Sequence, residues 1–130
     1  MLNVAYAPYS NFYVGAAVLM EDGTVHKGCN QENASYPLCI CGERVALYNA
    51  HVNAHGKKIK TLAIIAKNPS KKLDQPVSPC GACRQVIAEF EQKQSAPIEI
   101  FLQGESDEVY YLESNDKLLP YQFSSKVLGE

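Results

Sequence analysis

The stretch CGERVALYNAHVN, residues 41–53, decides how the rest of the chain is read. Val45, Tyr48 and Val52 recur at helical spacing, and Gly56 supplies a stop shortly afterwards. The sequence therefore predicts a helix from Cys41 to about residue 53, with a cysteine at its first position. Strand-like runs flank this helix on both sides, which favours an α/β fold.

Reading outward from this helix gives the order β, β, α, β, α, β. Upstream, residues 14–30 form two apolar runs around Asp22-Gly23, a pair typical of a hairpin turn. Downstream, we expect a buried strand, a helix, another strand and an edge strand at KTLAIIAK (60–67), SPCGACRQVIAEFEQ (78–92), PIEIFLQ (97–103) and EVYYLE (108–113). No linker or repeat interrupts them, so we predict one domain over residues 1–130 with helices on a mixed, roughly five-stranded sheet.

Composition narrows the functional classes. The chain has 130 residues, a net charge of −2 and 46% hydrophobic residues, which suits one globular domain. This acidic balance argues against a nucleic-acid partner. Without a membrane span or a signal-peptide pattern, we expect a cytoplasmic protein with no membrane partner. Five cysteines in a reducing compartment indicate metal binding or catalysis more than disulfides.

The cysteines suggest a metal site. Cys41 and Cys80 both stand where a helix begins, and Cys83 lies one turn after Cys80. The positive end of a helix lowers the pKa of a thiol and favours the thiolate that zinc requires. Three protein ligands leave one of the four zinc positions open, which is typical of catalytic zinc. Glu43 would lie beside that position.

Three other interpretations remain open at this point. Cys39 or Cys29 could be a fourth ligand of a structural zinc, and otherwise both are small apolar core residues. Cys80-x-x-Cys83 could be a redox pair. His51 and His55, four residues apart on a helix, could bind a metal or simply lie at a solvated helix end.

Four motifs together resemble the small homotetrameric, zinc-dependent cytidine deaminases: AYAPYSNFYVGAA (5–17), NQENASYPLCICGER (30–44), PCGACRQV (79–86) and LLPYQF (118–123). The resemblance implies a three-layer α/β/α cytidine deaminase-like fold and one Zn²⁺ per subunit. It also implies a hydrolase of pyrimidine salvage that converts cytidine and 2′-deoxycytidine to uridine and 2′-deoxyuridine and releases ammonia. Glu43 would move the protons. The alternatives are a deaminase of a related aminated nucleoside or base, and a non-catalytic zinc-stabilised module that binds nucleosides.

The same resemblance assigns roles to single residues. In the family, two side chains bond to the zinc thiolates, five groups contact the nucleoside, and three more residues reach the site from a neighbouring subunit of the homotetramer. By position these are Arg44 and Gln85 on the thiolates; Phe12 on the pyrimidine, Asn30 and Glu32 on the ribose 3′-hydroxyl, and the Gly42 N–H and Ser78 carbonyl on the base; and Ala34, Tyr36 and Phe123 from the neighbour.

The chain departs from the family pattern in three places. Gly42 stands where alanine is usual, and Pro37 and Cys39 replace the usual glycine and threonine. Family members also carry a helix of several turns before AYAPYSNF, whereas only residues 1–5 precede Tyr6 here, so we expect this helix to be truncated. We expect the surface that such a helix would cover to be exposed or covered by another subunit.

Overall fold

The computed structural model describes residues 1–129 as a five-stranded sheet with two helices. The strands are β1 (Tyr13–Met20), β2 (Val25–Cys29), β3 (Ile59–Lys67), β4 (Glu99–Gln103) and β5 (Val109–Leu112), and the helices are α1 (Gly42–Asn53) and α2 (Gly81–Gln94). The sheet order is β2-β1-β3-β4-β5. Among these five strands β3 and β4 pair in parallel, and the other neighbours are antiparallel. The predicted α/β class and mixed five-stranded sheet are confirmed.

The predicted hairpin joins β1 to β2. Gly23 has a φ of 84°, a left-handed conformation that glycine adopts without a steric penalty. Asp22 supports the turn, because its Oδ1 accepts hydrogen bonds from the backbone N–H of Thr24 at 3.0 Å and from its hydroxyl at 2.6 Å. The turn sets the register in which Gly15 faces Cys29.

Both helices pack on one face of the sheet. The core combines Leu47 of α1 and Ile87 of α2 with inward-facing strand residues such as Leu62 and Ile100, all of them fully buried. The prediction that residues 60–67 form a buried strand is only half right. β3 alternates, so Leu62 and Ile64 lie in the core while Ala63 and Ile65 are exposed on the other side.

The opposite face of the sheet is largely bare. Ile65, Phe101 and Val109 are exposed on this face, and the short 3-10 turn Leu2–Val4 contacts it at β1 and β3. The resemblance implies three layers; within residues 1–129 the third layer consists of this turn alone. This face is therefore exposed in the single chain.

Gly28 of β2 brings α1 against the sheet. A Cβ at this position would lie 2.3 Å from the Ala46 nitrogen and 2.8 Å from the Gly42 carbonyl oxygen. The backbone of the first helical turns can therefore approach β2 only because residue 28 has no side chain. This contact fixes the position of the residues that begin α1. No helix within residues 1–129 is both long and apolar enough to cross a membrane.

Candidate metal centre

Three cysteine side chains meet where the two helices begin. Cys41 is the N-cap residue of α1, Cys80 is the N-cap residue of α2, and Cys83 lies in the first turn of α2. The Sγ atoms of Cys41 and Cys80 are 3.9 Å apart, and those of Cys80 and Cys83 are 3.5 Å apart. All three sulfur atoms lie within 4.8 Å of one another. The structure thus brings together the three thiols that the sequence proposed as ligands.

The spacing of these thiols suits zinc. Three sulfurs bound tetrahedrally at the usual Zn–S length of about 2.3 Å would be roughly 3.8 Å apart, close to the two distances above. Interaction with the Cys83 thiol, together with Arg44, lowers the pKa of Cys41. The same interaction with Cys41, together with burial, raises the pKa of Cys83. Three thiols this close repel one another when all are ionised, and a bound divalent cation removes that repulsion.

Glu43 is buried next to the thiols, in the first turn of α1. Only 4% of its surface is exposed, and desolvation is the main reason that its pKa is raised. Its side chain lines the same cavity as Cys41 and Cys80. A carboxyl group with a raised pKa in a closed site can both accept and return a proton.

Arg44 compensates the charge of the cluster. Its Nη2 donates to Cys41 Sγ at 3.5 Å, and this contact is the main reason that the pKa of the guanidinium is raised. Its Nε is buried and has no hydrogen-bond partner within residues 1–129. Gln85, by contrast, donates to the Phe123 carbonyl oxygen at 3.0 Å. The thiolate contact that the resemblance suggests for Gln85 is not formed in this structure.

A cavity of about 420 Å³ opens beside the cluster. Its lining includes seven of the residues assigned to the catalytic, metal or nucleoside site from the sequence: Phe12, Asn30, Glu32, Cys41, Glu43, Ser78 and Cys80. We call one side of the site the helix-start wall, comprising Cys41, Glu43, Arg44, Cys80 and Cys83. The other side, comprising Ser10, Phe12, Asn30 and Glu32, is the loop wall. The cavity is large enough for a small organic ligand between them.

The polar side chains of the loop wall hold the backbone around Phe12. Asn30 is 9% exposed; its Oδ1 accepts from the Val14 N–H at 2.8 Å and its Nδ2 donates to the Phe12 carbonyl at 2.8 Å. Glu32 Oε2 accepts from the backbone N–H groups of Tyr9 at 2.8 Å and Ser10 at 3.2 Å. Sequence reasoning missed these structural roles because they join residues far apart in the chain.

Ser10 was also missed as a site residue. It lines the cavity, and its hydroxyl is hydrogen-bonded to Glu32 Oε1 and accepts from the Phe12 N–H at 3.1 Å. The only sequence signal was its place in AYAPYSNF, two residues before Phe12. In the sequence, a serine between a tyrosine and an asparagine indicates a turn residue. Its hydrogen bond to Glu32 is visible only in the structure.

The remaining predicted residues lie outside the cavity lining. Gly42 is buried, and a Cβ there would stand 3.0 Å from the Val14 carbonyl oxygen and 3.1 Å from the Asn30 nitrogen, so glycine suits this close approach. Tyr36 lines a smaller cavity of about 250 Å³ that shares Ser10, Glu32 and Cys39 with the first. Ala34, Tyr36 and Phe123 are exposed.

The alternative metal arrangements find less support. Within residues 1–129 the cluster contains three thiols: Cys39 Sγ instead accepts from the Asn33 N–H at 3.2 Å, and Cys29 Sγ is 3.5 Å from the Val4 carbonyl oxygen. His51 Nε2 lies 3.4 Å from Lys93 Nζ, and desolvation together with the charge of Lys93 lowers the pKa of His51. A neighbouring ammonium group opposes binding of a second cation at His51 and His55.

The sequence matches a known family model. Residues 1–96 match the model described as the cytidine and deoxycytidylate deaminase zinc-binding region. The chain is 46% identical over 126 residues to the cytidine deaminase of Sporosarcina psychrophila, covering 96% of this chain and 85% of that protein. It is 41% identical over 126 residues to the cytidine deaminase of Halalkalibacterium halodurans, with 97% and 88% covered.

Solved structures give the same result for the fold. The crystal structure of cytidine deaminase from Burkholderia pseudomallei superposes with a TM-score of 0.80 and 41% identity, covering 94% of this chain and 90% of that one. For the crystal structure of cytidine deaminase from Mycobacterium tuberculosis the TM-score is 0.68 at 32% identity, covering 95% and 88%. The fold described above therefore recurs in relatives of known structure.

Proposed function

The chain belongs to the family of cytidine and deoxycytidylate deaminases that share this zinc-binding region, and on that premise we propose that it hydrolyses cytidine and 2′-deoxycytidine to uridine and 2′-deoxyuridine with release of ammonia. One observation carries the proposal: three thiols meet at two helix starts, and two of them, Cys41 and Cys80, line the same cavity as the buried carboxyl group of Glu43. No ordinary structural zinc site needs that carboxyl group.

We assign the zinc ligands to Cys41, Cys80 and Cys83, with one ion per subunit. When bound there, zinc supplies Lewis acidity that brings the pKa of a water molecule toward neutrality. The cluster of three thiolates would carry a net charge of −1 with the ion, and this would weaken its acidity. Arg44, 3.5 Å from Cys41 Sγ, offsets part of this charge.

Glu43 is the proton carrier in this proposal. Its carboxylate accepts a proton from water, passes it to N3 of the cytosine ring, and then helps to protonate the amino group that leaves from C4. Water supplies the oxygen and the protons, so cytidine and water balance uridine and ammonia. Burial supports this role because it raises the pKa of Glu43 above the ordinary value, so that the carboxyl group holds a transferred proton more readily than an exposed one.

We propose that the loop wall recognises the nucleoside. Phe12 would pack on the pyrimidine, and Asn30 and Glu32 would bond to the ribose 3′-hydroxyl; the Gly42 N–H and the Ser78 carbonyl would contact the base. Each of Asn30 and Glu32 makes hydrogen bonds to the protein and still lines the cavity. Polar groups held in this way discriminate strongly against a substrate that lacks the matching hydroxyl.

We further propose a cytoplasmic homotetramer that acts in pyrimidine salvage and shares residues between subunits. Phe123 and Tyr36 are 60% and 68% exposed and lie outside the cavity lining, so both are free to reach a neighbouring subunit. Gln85 fixes the backbone at Phe123 through its carbonyl oxygen. Phe123, Tyr36 and Ala34 would then complete the ribose and base contacts of an adjacent site. Sedimentation that shows a stable and fully active monomer would remove this part of the proposal.

The function is tested by following the ultraviolet absorbance of cytidine with protein of measured zinc content. We expect the cytidine band to be replaced by the uridine band with the wild-type chain, and ammonia to appear in equal amount. Glu43→Gln is the matched control, because it keeps size and polarity but cannot carry the proton. We expect this variant to retain zinc and lose turnover. Unchanged cytidine with a full zinc site would contradict the proposal, and turnover of cytosine in its place would favour a deaminase of a related base.

A further inference from the structure

Ser10 links the two recognition groups of the loop wall. Its hydroxyl oxygen accepts from the Phe12 N–H at 3.1 Å and is hydrogen-bonded to Glu32 Oε1. An amide N–H can only donate and an ionised carboxylate can only accept. The single proton of the Ser10 hydroxyl is therefore directed at Glu32.

The contacts of Glu32 leave little acceptor capacity for a ligand. Oε2 accepts from the Tyr9 N–H at 2.8 Å and from the Ser10 N–H at 3.2 Å, and Oε1 accepts from the Ser10 hydroxyl. A carboxylate has about four acceptor positions, so about one remains, on Oε1. The Ser10 hydroxyl thus determines which direction is left for a donor in the cavity.

Ser10 also holds one side of the Phe12 backbone. The Phe12 N–H donates to Ser10 Oγ, and the Phe12 carbonyl accepts from Asn30 Nδ2 at 2.8 Å. Asn11 between them has a φ of 55°, a left-handed conformation that asparagine tolerates better than most residues. The turn at Asn11 allows the serine side chain to reach forward to the amide two residues later.

We infer that Ser10 is a positioning residue that aligns Glu32 with the sugar hydroxyl and fixes Phe12 beneath the base, so that recognition of sugar and base is coupled through one hydroxyl group. This inference rests on the proposed function, since it specifies how that site reads a ribosyl substrate. Ser10 acts through Glu32 and Phe12, and loss of its hydroxyl would leave Glu32 Oε1 free to turn.

The test measures selectivity for the ribose hydroxyl. In a Glu43→Gln background, titration calorimetry gives the Kd of cytidine and of 3′-deoxycytidine for the serine chain and for Ser10→Ala. We expect the ratio of the two Kd values to fall about tenfold in Ser10→Ala, the size expected when a hydrogen bond to a charged group loses its alignment. Ser10→Thr keeps the hydroxyl and should restore the ratio.

Ser70→Ala is the matched control. Ser70 Oγ accepts from Asn11 Nδ2 at 3.0 Å, so this variant removes a hydroxyl bonded to the same loop without touching Glu32. Its Kd ratio should equal that of the serine chain. A ratio that is unchanged in Ser10→Ala overturns the inference, and so does equal weakening of both nucleosides, which would indicate only a structural role.

Parallel kcat/KM measurements in the chain that carries Glu43 separate this inference from the proposed function. If cytidine is not converted but the Kd ratio behaves as described, the proposed reaction is wrong and the positioning role stands. If cytidine is converted and the ratio does not respond to Ser10→Ala, the reaction stands and the positioning role is wrong. If the folded chain binds neither nucleoside, the positioning role is overturned.

Discussion

The helix-start wall and the loop wall of the site are built in opposite ways. In the helix-start wall, Cys41, Cys83 and Glu43 have shifted pKa values, and the Arg44 Nε is buried without a partner within residues 1–129. In the loop wall, the amide of Asn30 and the carboxylate of Glu32 are bonded to backbone groups. The first wall is suited to gain a cation and move protons, and the second is suited to hold a shape.

The two walls therefore have opposite effects on the stability of the folded chain. The helix-start wall keeps ionisable groups close together and partly desolvated, which destabilises the chain without metal and prepares the site for chemistry. The loop wall satisfies its own backbone and therefore stabilises the fold while presenting residual acceptors and donors to a ligand. Substitutions in the two walls should consequently affect different measured quantities.

The largest expected effect is that of Cys83→Ser. Cys83 is fully buried, and a hydroxyl is a poorer zinc ligand than a thiolate. We expect zinc content to fall close to zero and cytidine turnover to disappear with it, as measured by elemental analysis and absorbance. Cys29→Ser is the control, because Cys29 is buried outside the cluster and its loss should leave zinc bound. Full zinc occupancy in Cys83→Ser would contradict the assignment of the helix-start wall.

Gly28→Ala tests the same wall without altering a ligand. The new Cβ would lie 2.3 Å from the Ala46 nitrogen, so α1 must shift away from β2 and carry Cys41 and Glu43 with it. We expect a loss of about 1–3 kcal/mol in the free energy of unfolding, typical of overpacking. A displacement of this kind can also reduce kcat by about 10²-fold.

Urea denaturation and steady-state kinetics measure these two effects of Gly28→Ala. Gly23→Ala is a useful comparison because nothing lies within 4 Å of the added Cβ there, so its cost comes only from the positive φ of 84°. Gly23→Ala should therefore lower stability without lowering kcat. Equal loss of kcat in both variants would show that the position of α1 does not control the chemistry.

Asn30→Ala should affect the loop wall. The substitution leaves the Val14 N–H and the Phe12 carbonyl without their side-chain partner, which costs about 1–3 kcal/mol of stability. We expect KM for cytidine to rise about tenfold or more because the ribose contact is also lost. Asn33→Ala, in the same NQEN motif, removes an acceptor of the Ser35 N–H outside the cavity and should leave KM unchanged. An unaltered KM in Asn30→Ala would contradict its role.

The smallest expected effect is the pH dependence contributed by Glu32. Desolvation acts to raise its pKa, but hydrogen bonds from Ser10 and from the Tyr9 N–H outweigh it, so the pKa lies below the ordinary value of 4.5. A depressed carboxyl pKa contributes stability above the unfolded pKa, and that contribution is lost as the pH falls through the folded pKa.

The stability difference between the native chain and Glu32→Gln should therefore be largest near neutral pH and shrink below about pH 4.5. Urea denaturation of metal-free protein, once near neutral pH and once below about pH 4.5, measures this stability difference without interference from zinc release. A difference that stays constant over this range would show that ionised Glu32 does not stabilise the loop wall.

The helix-start wall could be predicted from the sequence because its signals are local. Cys41 precedes a helical repeat, and Cys80 and Cys83 are one turn apart. The loop wall could be named only through family resemblance, since the Glu32 carboxylate bonds to residues 22 and 23 positions away. No periodicity reports such contacts, and the roles of Ser10 and the Phe12 backbone therefore stayed hidden.

Sequence reasoning meets the same limit in predicting which face of the sheet is buried. KTLAIIAK reads as a strand buried on both sides, because Ala63 and Ile65 are as apolar as Leu62 and Ile64. Composition cannot show which face has a covering layer. In the structure that layer lies on the side of Leu62 and Ile64, while Ala63 and Ile65 remain exposed.

The most direct test of the contrast between the two walls is a comparison of kcat and KM for cytidine in zinc-loaded Glu43→Gln and Asn30→Ala. We predict that Glu43→Gln lowers kcat by about 10³-fold with little change in the Kd of cytidine. Asn30→Ala should raise KM and leave most of kcat. If both variants lose the same parameter to a similar extent, the division between a chemical wall and a recognition wall is wrong.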